Sequence, residues 1–317
     1  MKRKALTIAA VLLLLVGLGV FLYPTFYDLY SRWQAEQVIE QYTYVAEPDK
    51  ADYSAEWAAA DAYNETVAEN GIFSSAVYAL DPSQLLNPLG TGMMGYLDIP
   101  KIDVHLPIYQ GTEERELQSG CGWWIGTSLP TGGEGTHCVL TGHTGLTKAK
   151  MFTDIDQLEP GDTFTLSVLD RVLTYEVDQI LTVLPDDIEP LQVEPGKDYV
   201  TLYTCTPYGI NTHRLLVRGH RIPTPAAAET PPAGTGPSTM ELVLCGVLPA
   251  VMVLGVLLLV RAVRRRRRIR DPRNHYLDSR AEKRRKKREK PPPARATEKS
   301  RSRCEDSPER RRRNRYR

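Results

Sequence analysis

Two long stretches of the chain are overwhelmingly apolar: ALTIAAVLLLLVGLGVFLY at residues 5–23 and MELVLCGVLPAVMVLGVLLLV at residues 240–260. Each has about the 20 residues needed to cross the hydrocarbon core of a bilayer. Between them the pattern changes three times. In residues 24–70, aromatics recur at spacings of three and four among Ala and Glu, which predicts helix. The first helix, through YDLYSRWQAEQVIEQYTYV, continues from the apolar run, and the second, YSAEWAAADAYNETVAEN, stops at Asn70-Gly71. Residues 71–94 lose this period and fill with Gly, Pro, Asn and Ser, so they read as a long loop with one short helix. From 95 to 222 short apolar runs alternate with turn residues. GYLDIP, VHLPIYQ, GTHCVLTGH, DTFTLSVLD, RVLTYEVDQILTVL, DYVTLYTC and RLLVRGHRI are the clearest. This spacing predicts one all-β domain, a closed barrel or a sandwich. The Pro/Ala/Thr-rich segment 223–239 reads as an extended spacer.

Charge gives the apolar runs a direction. The net charge of +1 hides 26 Lys+Arg against 8 Asp+Glu in residues 261–317, and 11 against 30 in residues 24–240. Lys2, Arg3 and Lys4 precede the first run, and RAVRRRRRIR follows the second. Basic flanks stay in the cytoplasm. Residues 1–4 and the tail 261–317 are therefore expected inside the cell, with the acidic region between the two spans outside. The first run is longer than a signal-peptide core of about 7–15 residues, and no A-x-A-like site follows it, which favours an uncleaved anchor. The tail is too poor in apolar residues to bury a core and is expected to be disordered. Its place directly after a span favours anionic lipid headgroups over nucleic acid as its partner.

Three cysteines, Cys121, Cys138 and Cys205, fall in the outer region. An odd number leaves one disulfide and a free thiol, or three free thiols; the reading favours Cys121 and Cys138 as buried free thiols. No Cys/His spacing suits zinc, and no cofactor is expected. Cys205 ends the strand-like VTLYTC, and Arg214 follows nine residues later in NTHRLLVRGHR. A thiol becomes a good nucleophile as thiolate, aided by positive charge or a basic partner. Among five outer histidines, His143 stands at a strand exit between glycine-rich turns, where a ring can project into a cleft; His105 and His137 lie within strands and read as satisfied structural groups. Strand neighbours point to opposite faces, so if Arg214 faces Cys205 then His213 faces away. The candidate set is Cys205 as nucleophile, His143 as general acid/base and Arg214 as oxyanion holder.

The segment TLYTCTPYGINTHRLLVRGHR resembles the cysteine-to-arginine region of class C sortases, the pilin-polymerising transpeptidases of Gram-positive bacteria. LTGHTGLTKAKMFTDIDQLEPGDTF is similar to the family's histidine segment, and GYLDIPKIDVHLPIYQGT to its first strands. The likeness covers roughly residues 60–222. It implies a closed eight-stranded sortase-type β-barrel (95–222) with N-terminal helices and a lid (71–94), carried between the two transmembrane helices. It further implies attack by Cys205 on an LPXTG-like sorting signal and transfer to a lysine amine of another pilin, with Thr204 beside the substrate cleft. Class C lids usually carry an Asp-Pro-aromatic triplet. Here Gly71-Ile72-Phe73 takes that place, keeping the aromatic and losing the Asp, while an Asp-Pro recurs at Asp81-Pro82. Phe73 and Asp81 are thus two candidate lid residues.

Overall fold

The computed structural model describes residues 2–46, 51–145, 150–225 and 272–288, with isolated positions between 253 and 261. The chain divides into two units, Met1–Val251 and Met252–Arg317. In the first, helix α1 (Lys2–Val45) contains the first apolar run. Its side chains are described from Leu13 onward, and among the described residues no helix is long and apolar enough to cross a membrane. The second apolar run and the spacer after residue 225 lie outside the described residues, apart from scattered positions.

Helix α2 (Ser54–Asn70) ends where Gly71 takes φ +80° and returns its N–H to Val67 O at 2.8 Å. Its buried residues Trp57, Ala60, Tyr63, Asn64 and Val67 recur at helical spacing and press one face onto the core. The Asn64 amide on that face is satisfied at both ends. Asn64 Nδ2 donates to Thr131 Oγ1 at 2.7 Å, and its Oδ1 accepts the Leu129 N–H at 2.7 Å. A single turn, α3 (Ser75–Tyr78), is the short helix expected within 71–94, capped where Ser74 Oγ accepts the Val77 N–H.

The β region forms a closed barrel of eight strands. They are β1 (Met93–Ile99), β2 (Val104–Gln110), β3 (Cys121–Trp123), β4 (Thr136–Thr141), β5 (Thr163–Val168), β6 (Arg171–Val183), β7 (Asp198–Thr206) and β8 (His213–Ile222). Around the barrel the order is β1-β2-β3-β4-β7-β8-β6-β5, closing on β1. Closure removes exposed sheet edges. The pairs β2/β3 and β4/β7 are parallel and the others antiparallel. Helix α4 (Glu114–Ser119) bridges the parallel step from β2 to β3. Leu97, Ile99, Ile108, Val139, Leu140, Phe164, Leu166, Leu202 and Val217 are fully buried in the core.

The lower half of α1 docks on β1 and β2. Ile39, Tyr42 and Ala46 pack with Met93 and Tyr96, and Tyr42 Oη donates to Met94 O at 2.7 Å while accepting the Leu169 N–H. His105 on β2 joins this contact: its ring pairs with Asp98, and Glu36 of α1 stands 3.8 Å away. Burial alone would lower its pKa, but the Asp98 hydrogen bond, reinforced by the charges of Asp98 and Glu36, holds it above the ordinary value. His137 is sealed in β4, with Nδ1 on Gln192 O at 3.0 Å and Nε2 on Thr201 Oγ1 at 2.7 Å; burial lowers its pKa to about 4. Both histidines are the satisfied strand residues the sequence suggested. Cys121 and Cys138 are buried free thiols, and burial pushes both well up in pKa, so neither supplies a thiolate.

The second unit corrects one expectation. The tail contains helix α5 (Pro272–Arg288). Low apolar content rules out a buried core but not a helix. Pro272 occupies the first helical position, Lys, Arg and Glu have good helix propensity, and Glu282 pairs with Lys286 at 3.1 Å. Its described side chains, from Ser279 to Lys287, are all exposed.

Candidate active site

Three adjacent strands bring the predicted residues together. The parallel ladder of β4 and β7 ends with Thr141 opposite Tyr203. Two bonds extend it by a residue: the Gly142 N–H donates to Tyr203 O at 3.1 Å, and the Thr204 hydroxyl donates to Gly142 O at 2.7 Å. His143 leaves the end of this ladder on β4, as Cys205 does on β7. On the other side β8 runs antiparallel to β7, and Arg214 is the cross-strand partner of Cys205. Directly opposed residues share a face of the sheet. His213 pairs with Thr206, one step off that face, and its Nδ1 lies 3.0 Å from Thr212 Oγ1.

The strand exit at His143 is held by packing. A Cβ on Gly142 would sit 2.6 Å from the Phe152 ring, so only glycine lets β4 approach that ring so closely. The Phe152 N–H donates to His143 O at 3.0 Å. The Tyr208 ring, in the turn after β7, covers Gly145 from the other side. Arg214 is braced at its base: Nη1 donates to Asn211 O at 3.1 Å and to His213 O at 3.0 Å. Burial raises the pKa of the Tyr203 phenol, while Arg214, through its charge and a hydrogen bond, opposes that rise. These contacts fix the guanidinium plane and leave N–H donors over for a carbonyl oxygen. Among the described residues no group of His, Cys, Asp and Glu could hold a metal ion.

Thr204, expected at the cleft, is buried instead. Strand alternation turns it from the Cys205 face, and its hydroxyl clips β7 to Gly142. The two lid candidates also separate. Asp81 is exposed, and its carboxylate accepts the Ser83 N–H at 2.9 Å, which lowers its pKa; the adjacent Pro82 carbonyl is taken by Gln110. None of the described contacts of Asp81 reaches Cys205, His143 or Arg214. Phe73 does lie on the wall of the site. Its ring is 5.1 Å from that of Trp124, which is 5.1 Å from Tyr203, two residues before Cys205. The Phe73 N–H donates to Gly126 O at 2.9 Å, and a Cβ on Gly126 would meet the Phe73 ring at 2.6 Å. Trp124 and the glycine that admits Phe73 carry no period or motif in the sequence that marks them, and Tyr203 lies within VTLYTC without being singled out.

Phe73 holds this seat at φ +58°, a left-handed conformation that costs a non-glycine residue about 1–3 kcal/mol. Its half-buried ring returns about 1–2 kcal/mol through burial and the aromatic pair. Cost and return nearly offset, so this seating of Phe73 is finely balanced. Phe73→Ala is expected to speed modification of Cys205 by a small thiol reagent roughly tenfold, since about 1.4 kcal/mol is a factor of ten. Asp81→Ala is expected to leave the rate unchanged. Faster labelling in Asp81→Ala alone would move the plug to the second Asp-Pro site.

Comparison with known proteins identifies the family. Residues 97–222 match the Sortase domain family. Sortase A of Bacillus anthracis is 30% identical over 226 residues, spanning 71% of this chain and 98% of that protein. Among solved structures, sortase C1 of Streptococcus agalactiae is 46% identical with a TM-score of 0.57, covering 60% of this chain and all (100%) of the other. Sortase C of Streptococcus pneumoniae, studied for catalysis and pilin substrate specificity, is 46% identical with a TM-score of 0.52, covering 59% of this chain and 97% of the other. With a sortase barrel, a cysteine and an arginine paired across β7 and β8, and a relative matched over almost its whole length, this chain belongs to the sortase family of cysteine transpeptidases.

Proposed function

We propose that this sortase polymerises pilins, with Cys205, His143 and Arg214 as its catalytic groups. The observation that carries the reading is the 46% identity to two sortase C enzymes over essentially their whole lengths, one of them known for pilin specificity. The Cys205 thiolate attacks the threonine carbonyl carbon of an LPXTG-like signal. Arg214 donates hydrogen bonds to the oxygen as it becomes an oxyanion. The peptide C–N bond then breaks, and the His143 imidazolium gives its proton to the departing amine. A lysine amine of the next pilin attacks the thioester, loses a proton to His143, and expels the thiolate as an isopeptide bond forms.

Incubation with a purified LPXTG-bearing pilin tests the substrate. A ladder of covalent multimers is expected. Cleavage without a ladder, with transfer to a cell-wall precursor amine, would instead mark an anchoring sortase. The register supplies a second test. His143→Ala is expected to lower kcat/KM by at least about 10³-fold, whereas His213→Ala, one step off the Cys205 face, is expected to cost less than about threefold. Equal losses at both positions would remove the case for His143.

The same reading places both termini in the cytoplasm and the barrel outside, with two membrane passes. The basic flanks of both apolar runs support it, as do Leu13, Val16, Val20 and Phe21, which α1 exposes at 66–78%. The exposed basic helix α5 suits anionic headgroups at the inner leaflet. Protease added outside intact cells should then remove the barrel and spare a tag on either terminus.

A further inference from the structure

Glu114 opens helix α4, between β2 and β3, and no sequence motif marks it. Helix α4 is seated through Leu117, whose side chain lies against Gly122, and through Glu116, which is buried and paired with Arg115 at 2.7 Å. That seating turns Glu114 to the side where β4 ends. Its Oε2 lies 3.4 Å from His143 Nε2, while its Oε1 accepts from Gln118 Nε2 at 2.7 Å. His143 Nε2 is itself buried and makes no hydrogen bond to the described residues, so the 3.4 Å approach is an attraction of charges, not an aligned bond. An orphaned ring nitrogen aimed at a tethered carboxylate is an unused partnership. It matters only when the ring carries a proton there.

We propose that Glu114 is a positioning residue for His143, holding the ring in place and favouring its imidazolium form beside the Cys205 thiolate. The proposal rests on His143 being the proton carrier. Transfer of the thiol proton from Sγ to the ring leaves a negative sulfur and a positive imidazolium. A carboxylate against the far nitrogen stabilises that positive charge and, by holding Nε2–H, presents Nδ1 to receive the proton. Of the charged and titratable groups around His143, Glu114 comes from α4, Cys205 from β7, Arg214 from β8 and Tyr208 from the turn between them. The segment after His143 adds Lys150 and Asp154, which pair with each other at 3.0 Å. Glu114 is the carboxylate among these in contact with the imidazole. Its own pKa is lowered, first by Gln118 and then by the charge of His143, so it is ionised wherever the enzyme works.

The test is kcat/KM against pH for cleavage of an LPXTG peptide by the full chain, in wild type, Glu114→Gln, Glu114→Asp and His143→Ala. Glu114 is largely exposed, so the expected loss in Glu114→Gln is modest, about fivefold near neutrality, with KM unchanged. Its acid limb should move to lower pH by about half a unit, because the imidazolium loses its counter-charge. Glu114→Asp should recover part of the rate. Wild-type activity should fall with added salt, and that sensitivity should shrink in Glu114→Gln, since an exposed pair is screened. An unchanged rate in Glu114→Gln overturns the proposal. So does a loss with the acid limb unmoved, which would mean α4 merely packs. An active His143→Ala would bring down the reading of His143 itself, a separate outcome.

Discussion

Cys205→Ala is expected to abolish cleavage of an LPXTG peptide, with a loss on the order of 10⁴-fold or more, while the protein unfolds at nearly the same temperature. Removing a covalent nucleophile leaves only binding and oxyanion stabilisation, because the other groups act as a unit with it. Stability should barely change, because Cys205 sits half-buried at the open end of β7 and no hydrogen bond of the fold depends on its sulfur. Losing one partly exposed sulfur costs about 1 kcal/mol or less, within a few degrees of melting temperature for a domain of this size. Cys121 and Cys138 supply the internal control. Both are fully enclosed, so Cys121→Ala or Cys138→Ala should open a small cavity and lower the melting temperature while sparing turnover per folded molecule. Among the three outer cysteines, a thiol reagent should label Cys205 alone in wild type and none in Cys205→Ala. Retained cleavage in Cys205→Ala would remove the nucleophile assignment, whatever the fold.

Much of the barrel was legible because seven of its strands announce themselves by alternation or by β-branched runs between glycines and aspartates. β6 is a thirteen-residue example, RVLTYEVDQILTV. β3 was not legible. It is three residues long, Cys121–Trp123, and its identity comes from being wedged between β2 and β4. The two parallel joins were hidden as well: β2/β3 because β3 is so short, and β4/β7 because it links segments far apart in sequence, with no local pattern to encode it. The site was split along this line. Cys205 and Arg214 are joined by a single hairpin, so strand parity allowed only one of Arg214 and His213 on the Cys205 face, and the register puts Arg214 there. His143 depends on the parallel join of β4 to β7, which shape alone provides. Thr204 was misplaced because nearness in sequence to Cys205 counted for more than alternation. Glu114 and Trp124 were missed because nothing in TEEREL or CGWWIG separates a group that faces the site from one that faces water, and Tyr203 was missed although it lies inside the VTLYTC run.

Arg214→Lys is expected to fail almost as completely as Arg214→Ala, with kcat/KM lowered by about 10²–10³-fold, the usual cost of losing an oxyanion donor. The substitution keeps the charge, so a role in charge alone predicts a mild effect. The geometry says otherwise. Nη1 is tied to the carbonyls of Asn211 and His213, so the guanidinium is held by two contacts before any substrate arrives. A lysine ammonium is a compact point charge on a flexible stem. It can reach one of those carbonyls or the substrate, but it cannot span both in a fixed fork. Folding should tolerate the change, because the two carbonyls lie at the exposed end of the β7–β8 hairpin, where water can replace the lost donor. The Michaelis constant for the peptide should rise less than kcat falls, since the oxygen takes its full charge only in the transition state. The decisive comparison is kcat for wild type, Arg214→Lys and Arg214→Ala on one peptide at one pH. Lysine retaining a tenth or more of wild-type kcat would show that positive charge beside Cys205 suffices and that the fork is incidental. Lysine and alanine falling together would show that the reaction depends on the planar pair of donors that β8 holds across from the cysteine.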